Sequence, residues 1–204
     1  MIAELNGTAK SMGDSGKIKA RIDLHGWCDS ESGTLKTGVE VGVHRGELSA
    51  ALLAYFKDLT LYMVDSWTTH DKSSPYRKSG DGLSKLSNDQ QVENAVAARK
   101  AVEFAGSRAR IMWMQSHVAA SAFNGQRVSF VFIDADHSYE GVKADLEAWY
   151  PVVERGGLIC GHDYLHKREI RNGAFGVKRA VDEFAVKHGL DVKVHGTVWW
   201  ATKP

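Results

Sequence analysis

Residues 37–65 read TGVEVGVHRGELSAALLAYFKDLTLYMVD, and this stretch decides the fold. The apolar run Thr37–Val43 predicts a strand. From Glu47 to Leu59 the apolar residues Leu48, Ala51, Leu52, Tyr55, Phe56 and Leu59 recur at helical spacing, so one face of a helix is continuously apolar. Leu59–Asp65 is a second apolar run, and it ends on a carboxylate. A strand, a glycine-bearing turn, a helix and a strand in that order form a βαβ unit with a parallel sheet.

The same rhythm continues downstream. Ser87 followed by Gln90 predicts a capping box opening a helix over Asp89–Ala105, with Gly106 placed to terminate it. Strands are expected at Arg110–Met114, Val128–Asp134 and Gly157–Gly161, with helices over about 117–124, 138–150 and 174–188. Asp191–His195 and Thr197–Thr202 are separated so briefly that they should pair antiparallel. The polar stretch 66–88 interrupts this pattern; a loop of that length in a compact domain is expected to be functional, here as a lid. The first 20 residues are expected to form a loosely held arm and residues 21–204 a single α/β, doubly wound domain.

Composition narrows the function. The 204 residues carry a net charge of +1, which gives no electrostatic footprint for nucleic acid or an anionic membrane. No run reaches the roughly 18 apolar residues of a membrane helix, and the N-terminus lacks the apolar stretch of a signal peptide. The two cysteines, Cys28 and Cys160, make no disulfide framework, so a reducing, cytoplasmic setting is expected. Cys160, inside an apolar run, reads as a small core residue.

Ligands of open parallel sheets bind beyond the carboxyl ends of the strands, so the polar residues there are the candidates. The first strand ends in Glu40-Val-Gly42-Val43-His44-Arg-Gly46. Gly42 would permit close approach of a ligand, Gly46 would ease the turn into the helix, and the amides at the helix start favour an anionic group. This is not the GxGxxG fingerprint, and an internal carboxylate suits a positively charged cofactor better than a pyrophosphate. Asp65 stands where a ribose-binding acid belongs. At the far side, Asp134, Asp136, His137, His162 and Asp163 would share one crevice, with His166 in reach. Two chemistries stay open: carboxylate and imidazole ligands for a divalent cation, or His137 as a general base. Trp199-Trp200 alternate in a strand, so one of them should face the core.

The chain resembles class I S-adenosylmethionine-dependent methyltransferases over roughly residues 37–202. Val39–Gly46 is similar to their first motif and Leu61–Trp67 to their second. The resemblance implies a Rossmann-like, seven-stranded, mostly parallel sheet with an antiparallel last strand. It implies an S-adenosyl-L-methionine site drawn from Glu40, Gly42, Val43, His44, Gly46, Ser49, Asp65, Ser66, Trp67, Gln115, Ser116 and Asp134. Asp65 would bind the ribose hydroxyls, and Gln115-Ser116-His117 would lie near the adenine. The segment from Phe130 to Asp145 is similar to a metal-dependent subgroup that includes the macrocin and mycinamicin O-methyltransferases and, more distantly, the catechol and caffeoyl-CoA enzymes. By that likeness, Asp134, His162 and Asp163 hold a divalent metal, Mg²⁺ or Mn²⁺. Asp134 and His137 are the catalytic pair, with His137 as base. His162 stands where those relatives usually carry Asp. A small hydroxylated molecule is the implied acceptor, and self-association is compatible with the family. The rivals are a nicotinamide-dependent oxidoreductase and a metal-dependent hydrolase on a similar sheet.

Overall fold

The computed structural model describes residues 35–165 and 175–204. The expected N-terminal arm, Cys28 and His166 lie outside the described residues. The strands are β1 (Thr37–Val41), β2 (Thr60–Asp65), β3 (Ala109–Trp113), β4 (Val128–Ile133), β5 (Val153–Gly161), β6 (Lys193–His195) and β7 (Val198–Thr202). They form one sheet in the order β3-β2-β1-β4-β5-β7-β6. β3, β2, β1, β4 and β5 pair in parallel, and β7 runs antiparallel to both β5 and β6. The doubly wound sheet expected from the sequence is therefore present, with its one reversed strand second from the edge.

Alternation along the strands supplies two cores. Val39, Val41, Val131, Ile133 and Ile159 face one layer, with Leu146 and Trp149 of α5 (Tyr139–Trp149) and Val181 and Phe184 of α6 (Val177–His188). Leu61, Met63, Phe130, Phe132, Leu158 and Cys160 face the other, with Leu48, Leu52 and Leu53 of α1 (Glu47–Tyr55). Ala95 and Ala98 of α3 (Asn88–Ala101) complete that layer. Trp199 is buried in the first layer, while Trp200 packs partly buried on the second.

Several boundaries differ from the sequence expectation. α1 stops at Tyr55 rather than Leu59, because Phe56 is extended and the chain must turn back for Leu59 to enter the core. Arg108 ties down that end by donating from one guanidinium nitrogen to the carbonyls of Leu53, Phe56 and Leu59. The Ser87–Gln90 capping box opens α3, but α3 ends at Ala101 and a 3₁₀ stretch Glu103–Arg108 follows. Gly106, at φ +56°, turns that stretch toward β3 instead of ending the α-helix. β5 starts four residues earlier than expected, at Val153, with a register shift against β4 between Val128 and Phe130. The 66–88 stretch is not a plain loop: Ser74 caps a short helix, α2 (Pro75–Lys78), and a 3₁₀ turn covers Leu83–Lys85. Tyr76, Ser79, Asp81 and Ser84 of this stretch are buried.

Candidate functional site

The sheet order places β1 and β4 side by side at its centre, where the direction of strand succession reverses, so the loops after β2, β1, β4 and β5 meet over one edge. The contact is close: Asp134 donates its backbone N–H to Val41 O at 2.8 Å, and Gly42 donates to Val64 O at 2.9 Å. A Cβ on Gly42, at φ +92°, would lie 2.2 Å from the carbonyl oxygen of Asp134. Glycine is thus required here by protein backbone and by its positive φ. Gly46, at φ +80°, precedes α1 and packs against Ala98, where a Cβ would come within 3.0 Å of that residue's Cα.

Asp65 is committed to the same loop. One carboxylate oxygen accepts the backbone N–H groups of Val43 (3.0 Å) and His44 (2.9 Å), and the other accepts that of Trp67 (2.8 Å). The Trp67 indole N–H donates to His44 O at 2.8 Å, and Trp113 donates to Ser66 O at 2.8 Å. The loop after β1 is therefore held rigidly by side chains from the loop after β2. Glu40 is buried and accepts the Ser49 hydroxyl. His44 is pushed below the usual imidazole range by burial, against the nearby carboxylates Glu47, Asp65 and Asp134. After β3, Gln115 precedes α4 (Ser116–Ala122) as its cap residue. Ser116 faces inward: its hydroxyl donates to Asp145 at 2.5 Å and accepts the Trp149 indole N–H at 2.8 Å. Its side chain joins α4 to α5.

Across the crevice, β4 and β5 deliver the acids and imidazoles. Asp134, His162 and Asp163 each offer a ligand atom, and these lie within 4.8 Å of one another. His162 Nε2 lies 2.7 Å from Thr197 Oγ1. Among the described residues, the buried His162 Nδ1 finds no hydrogen-bond partner; it faces Asp163 at 3.3 Å and Asp134 at 3.9 Å. A buried imidazole nitrogen left unpaired beside two carboxylates is costly unless an electrophile sits there, and two carboxylates with one imidazole suit a divalent cation. The residues fit a metal. Asp136 lines the same small pocket as Asp134, His137 and His162, while its carboxylate accepts the Ser138 N–H at 2.8 Å and packs at the start of α5 against Gly141.

His137 Nε2 lies 3.3 Å from Asp134 and 3.2 Å from Asp163, while Nδ1 lies 2.7 Å from Asp81 Oδ2. Burial acts to lower the imidazole pKa, but hydrogen bonds to Asp134 and Asp81 and the negative charge of Asp134 and Asp163 outweigh it and raise it to about 10. Phe175 stacks on the ring at 4.8 Å. Asp81, Thr197 and Phe175 were not singled out from the sequence. Asp81 lies in a polar stretch 56 positions away from His137, and no periodicity marks such a contact.

A doubly wound sheet with a braced glycine loop on one side of its switch point and an acid–imidazole cluster on the other defines a nucleoside-cofactor enzyme of the α/β class. The methyltransferase-domain family matches residues 39–164, and the chain belongs to that family. Among solved structures, it is similar to the O-methyltransferase from Bacillus cereus in complex with SAH, with 13% identity, TM-score 0.66, and 99% of this chain and 89% of that one covered. It is also similar to the calicheamicin methyltransferase CalS11, with 14% identity, TM-score 0.65, and 91% and 78% covered. A third is the O-methyltransferase TomG from Streptomyces achromogenes in complex with SAM, with 12% identity, TM-score 0.62, and 91% and 80% covered. At these identities the likeness establishes the fold. No curated protein sequence matches the chain detectably. The oxidoreductase and hydrolase readings give way to the family assignment. Among the described residues, no helix is long and apolar enough to cross a membrane.

Proposed function

We propose that this methyltransferase moves a methyl group from S-adenosylmethionine to a hydroxyl of a small molecule, with a divalent cation at Asp134, His162 and Asp163. One observation carries the reading: His137 Nε2 lies within 3.3 Å of both Asp134 and Asp163, and Gly42, at the start of the braced loop, adjoins Asp134 across the β1–β4 edge. The SAH- and SAM-bound neighbours support the choice of cofactor.

When bound, the cofactor supplies an electrophilic sulfonium methyl group, and a divalent cation would lower the pKa of a hydroxyl held beside it. The chain's own residues do the rest. The loop Glu40–Gly46, with Ser49, Asp65, Ser66 and Trp67, forms the proposed cofactor cradle, its amides fixed by the Asp65 carboxylate before any ligand arrives. Gln115 and Ser116, at the start of α4, complete the proposed cradle, the Ser116 hydroxyl being committed to Asp145. Asp134 stands between cofactor loop and metal group. His137 accepts the hydroxyl proton at Nε2 as the new O–C bond forms and the S–C bond breaks, a contribution of roughly 10²–10⁴ in rate. Magnesium or manganese fits the ligand set, the imidazole favouring manganese.

The test is methyl transfer from labelled S-adenosylmethionine to a panel of sugars, catechols and other hydroxylated metabolites, beside calorimetry with S-adenosylhomocysteine. Binding of the nucleoside together with turnover on a hydroxyl acceptor is expected. No heat of association with either nucleoside would defeat the proposal.

A further inference from the structure

We propose that Asp81, in the segment between β2 and α3, is the positioning residue of His137: it accepts the proton on Nδ1 and thereby directs Nε2 at Asp134 and Asp163. The inference rests on the reading of His137 as the base and adds to it a partner from outside the two strand ends.

The hydrogen-bond inventory carries the argument. An ionised carboxylate only accepts, so the ring nitrogen 2.7 Å from Asp81 Oδ2 carries a proton whatever the state of Nε2. Asp81 is itself fixed. Its Oδ1 accepts the backbone N–H of Leu83 at 3.0 Å, and Tyr76 O–H donates to Oδ2 at 3.1 Å. The Ser84 hydroxyl holds the Asp81 carbonyl at 2.6 Å. Burial pushes the Asp81 carboxyl up, but the His137 hydrogen bond and charge, with the Leu83 N–H, keep it below the usual carboxylate range. The ring cannot swivel freely, because Phe175 stacks on one face at 4.8 Å and Tyr76 meets it edge-on at 6.1 Å. With Nδ1 occupied, the one ring atom left to exchange a proton is Nε2, and it faces the crevice. The tautomer of a histidine is set by the bond its other nitrogen makes.

Asp81→Asn tests this through an inversion. In the variant, Leu83 N–H still demands an acceptor, so the amide oxygen takes that position and the amide NH₂ turns to His137. Nδ1 must then accept, the proton moves to Nε2, and the lone pair needed by the acceptor hydroxyl is gone. Asp81→Ala imposes no tautomer and leaves part of the population competent.

The experiment is NMR of ¹⁵N-histidine-labelled protein with S-adenosylhomocysteine and Mg²⁺, the His137 signals being assigned by their loss in His137→Gln. The native protein is expected to show a slowly exchanging Nδ1 proton, and Asp81→Asn to show Nε2–H with no Nδ1 proton. In turnover, Asp81→Asn should fall by about 10²–10⁴-fold and below Asp81→Ala, with the dissociation constant of S-adenosylhomocysteine unchanged. A merely structural Asp81 gives the opposite ranking, since asparagine keeps the shape and alanine leaves a hole. A native ring lacking the Nδ1 proton, an Nδ1 proton surviving in Asp81→Asn, or that opposite ranking overturns the proposal. If instead His137→Ala turns over like the native enzyme, the base reading fails, whatever the ring spectra show for Asp81.

Discussion

His162 illustrates how one side chain can be committed on one nitrogen and open on the other. Thr197 Oγ1 lies 2.7 Å from Nε2, and the strand β7 that follows Thr197 pairs with β5, so the partner is as fixed as the sheet. A donated Nε2–H leaves the Nδ1 lone pair facing Asp134 and Asp163, as a metal ligand requires. Outer partners of ligating histidines typically matter by about 10–100-fold in metal affinity. Thr197→Val, which keeps the volume and removes the hydroxyl, should therefore weaken Mn²⁺ binding by about that factor in calorimetry while leaving S-adenosylhomocysteine affinity alone. Equal affinity in both proteins would show that the threonine does not set the tautomer. Gly42 makes a harsher demand. Its φ of +92° is strained for any L side chain, and the Cβ of Gly42→Ala would meet Asp134 O at 2.2 Å. We expect Gly42→Ala to lose roughly 2–4 kcal/mol in denaturant unfolding, from positive-φ strain and from prying β1 away from β4 together.

At the scale of elements, the junction of α4 and α5 holds a buried carboxyl with a pH signature. Burial raises Asp145 from an ordinary 3.8 to about 7, against the stabilising hydrogen bond from Ser116. Its folded value lies above its unfolded one, so the fold binds this proton more tightly than the unfolded chain does. The stability it contributes is complete below pH 3.8 and is lost as pH rises through about 7. Asp145→Asn should remove that slope, and at pH above about 8 it should unfold at higher denaturant than the native protein, by on the order of 2–4 kcal/mol. Parallel stability–pH curves for the two proteins would contradict this. The neighbouring segment 66–88 shows where sequence reading ran short. Ser74-Pro75 opens a helix with a hydroxyl cap and a proline in its first turn, a pattern present in the sequence. The burial of Tyr76 and Asp81, however, goes with contacts to His137, tens of residues away. Polar residues that are buried by tertiary contact look the same in sequence as polar residues in water. The helix ends were missed for a related reason: Leu59 continues the helical spacing of α1, yet the sheet claims it.

For the whole molecule, the architecture was legible because the two central strands declare themselves. Phe130 through Ile133 put apolar side chains on both faces of β4 and bury them on both, as a strand covered by helices on either side must, while Val39 and Val41 bury one face of β1 and Glu40 is buried on the other. Asp65 ends one of the two strands that flank β1 and Asp134 follows the other, so their placement on either side of the loop after β1 followed from topology alone; the reason for Gly42 did not, because it depends on the register of β1 against β4. That same layout divides the crevice into two separable halves, one braced by Asp65 and one built on Asp134, His162 and Asp163. The halves predict different responses to a chelator. A ligand that binds only the folded state stabilises it by RT ln(1 + [L]/Kd), or about 2.7 kcal/mol at a hundredfold excess over Kd. S-adenosylhomocysteine should raise the thermal midpoint to the same extent with and without EDTA, because none of its proposed loop contacts involves His162 or Asp163. Methyl transfer should vanish in EDTA and return with excess Mg²⁺ or Mn²⁺, since uncompensated carboxylates keep His137 protonated and unable to accept a proton. Full turnover in EDTA would remove the cation from the reaction. A midpoint shift that disappears in EDTA would show instead that the two halves of the crevice bind as one.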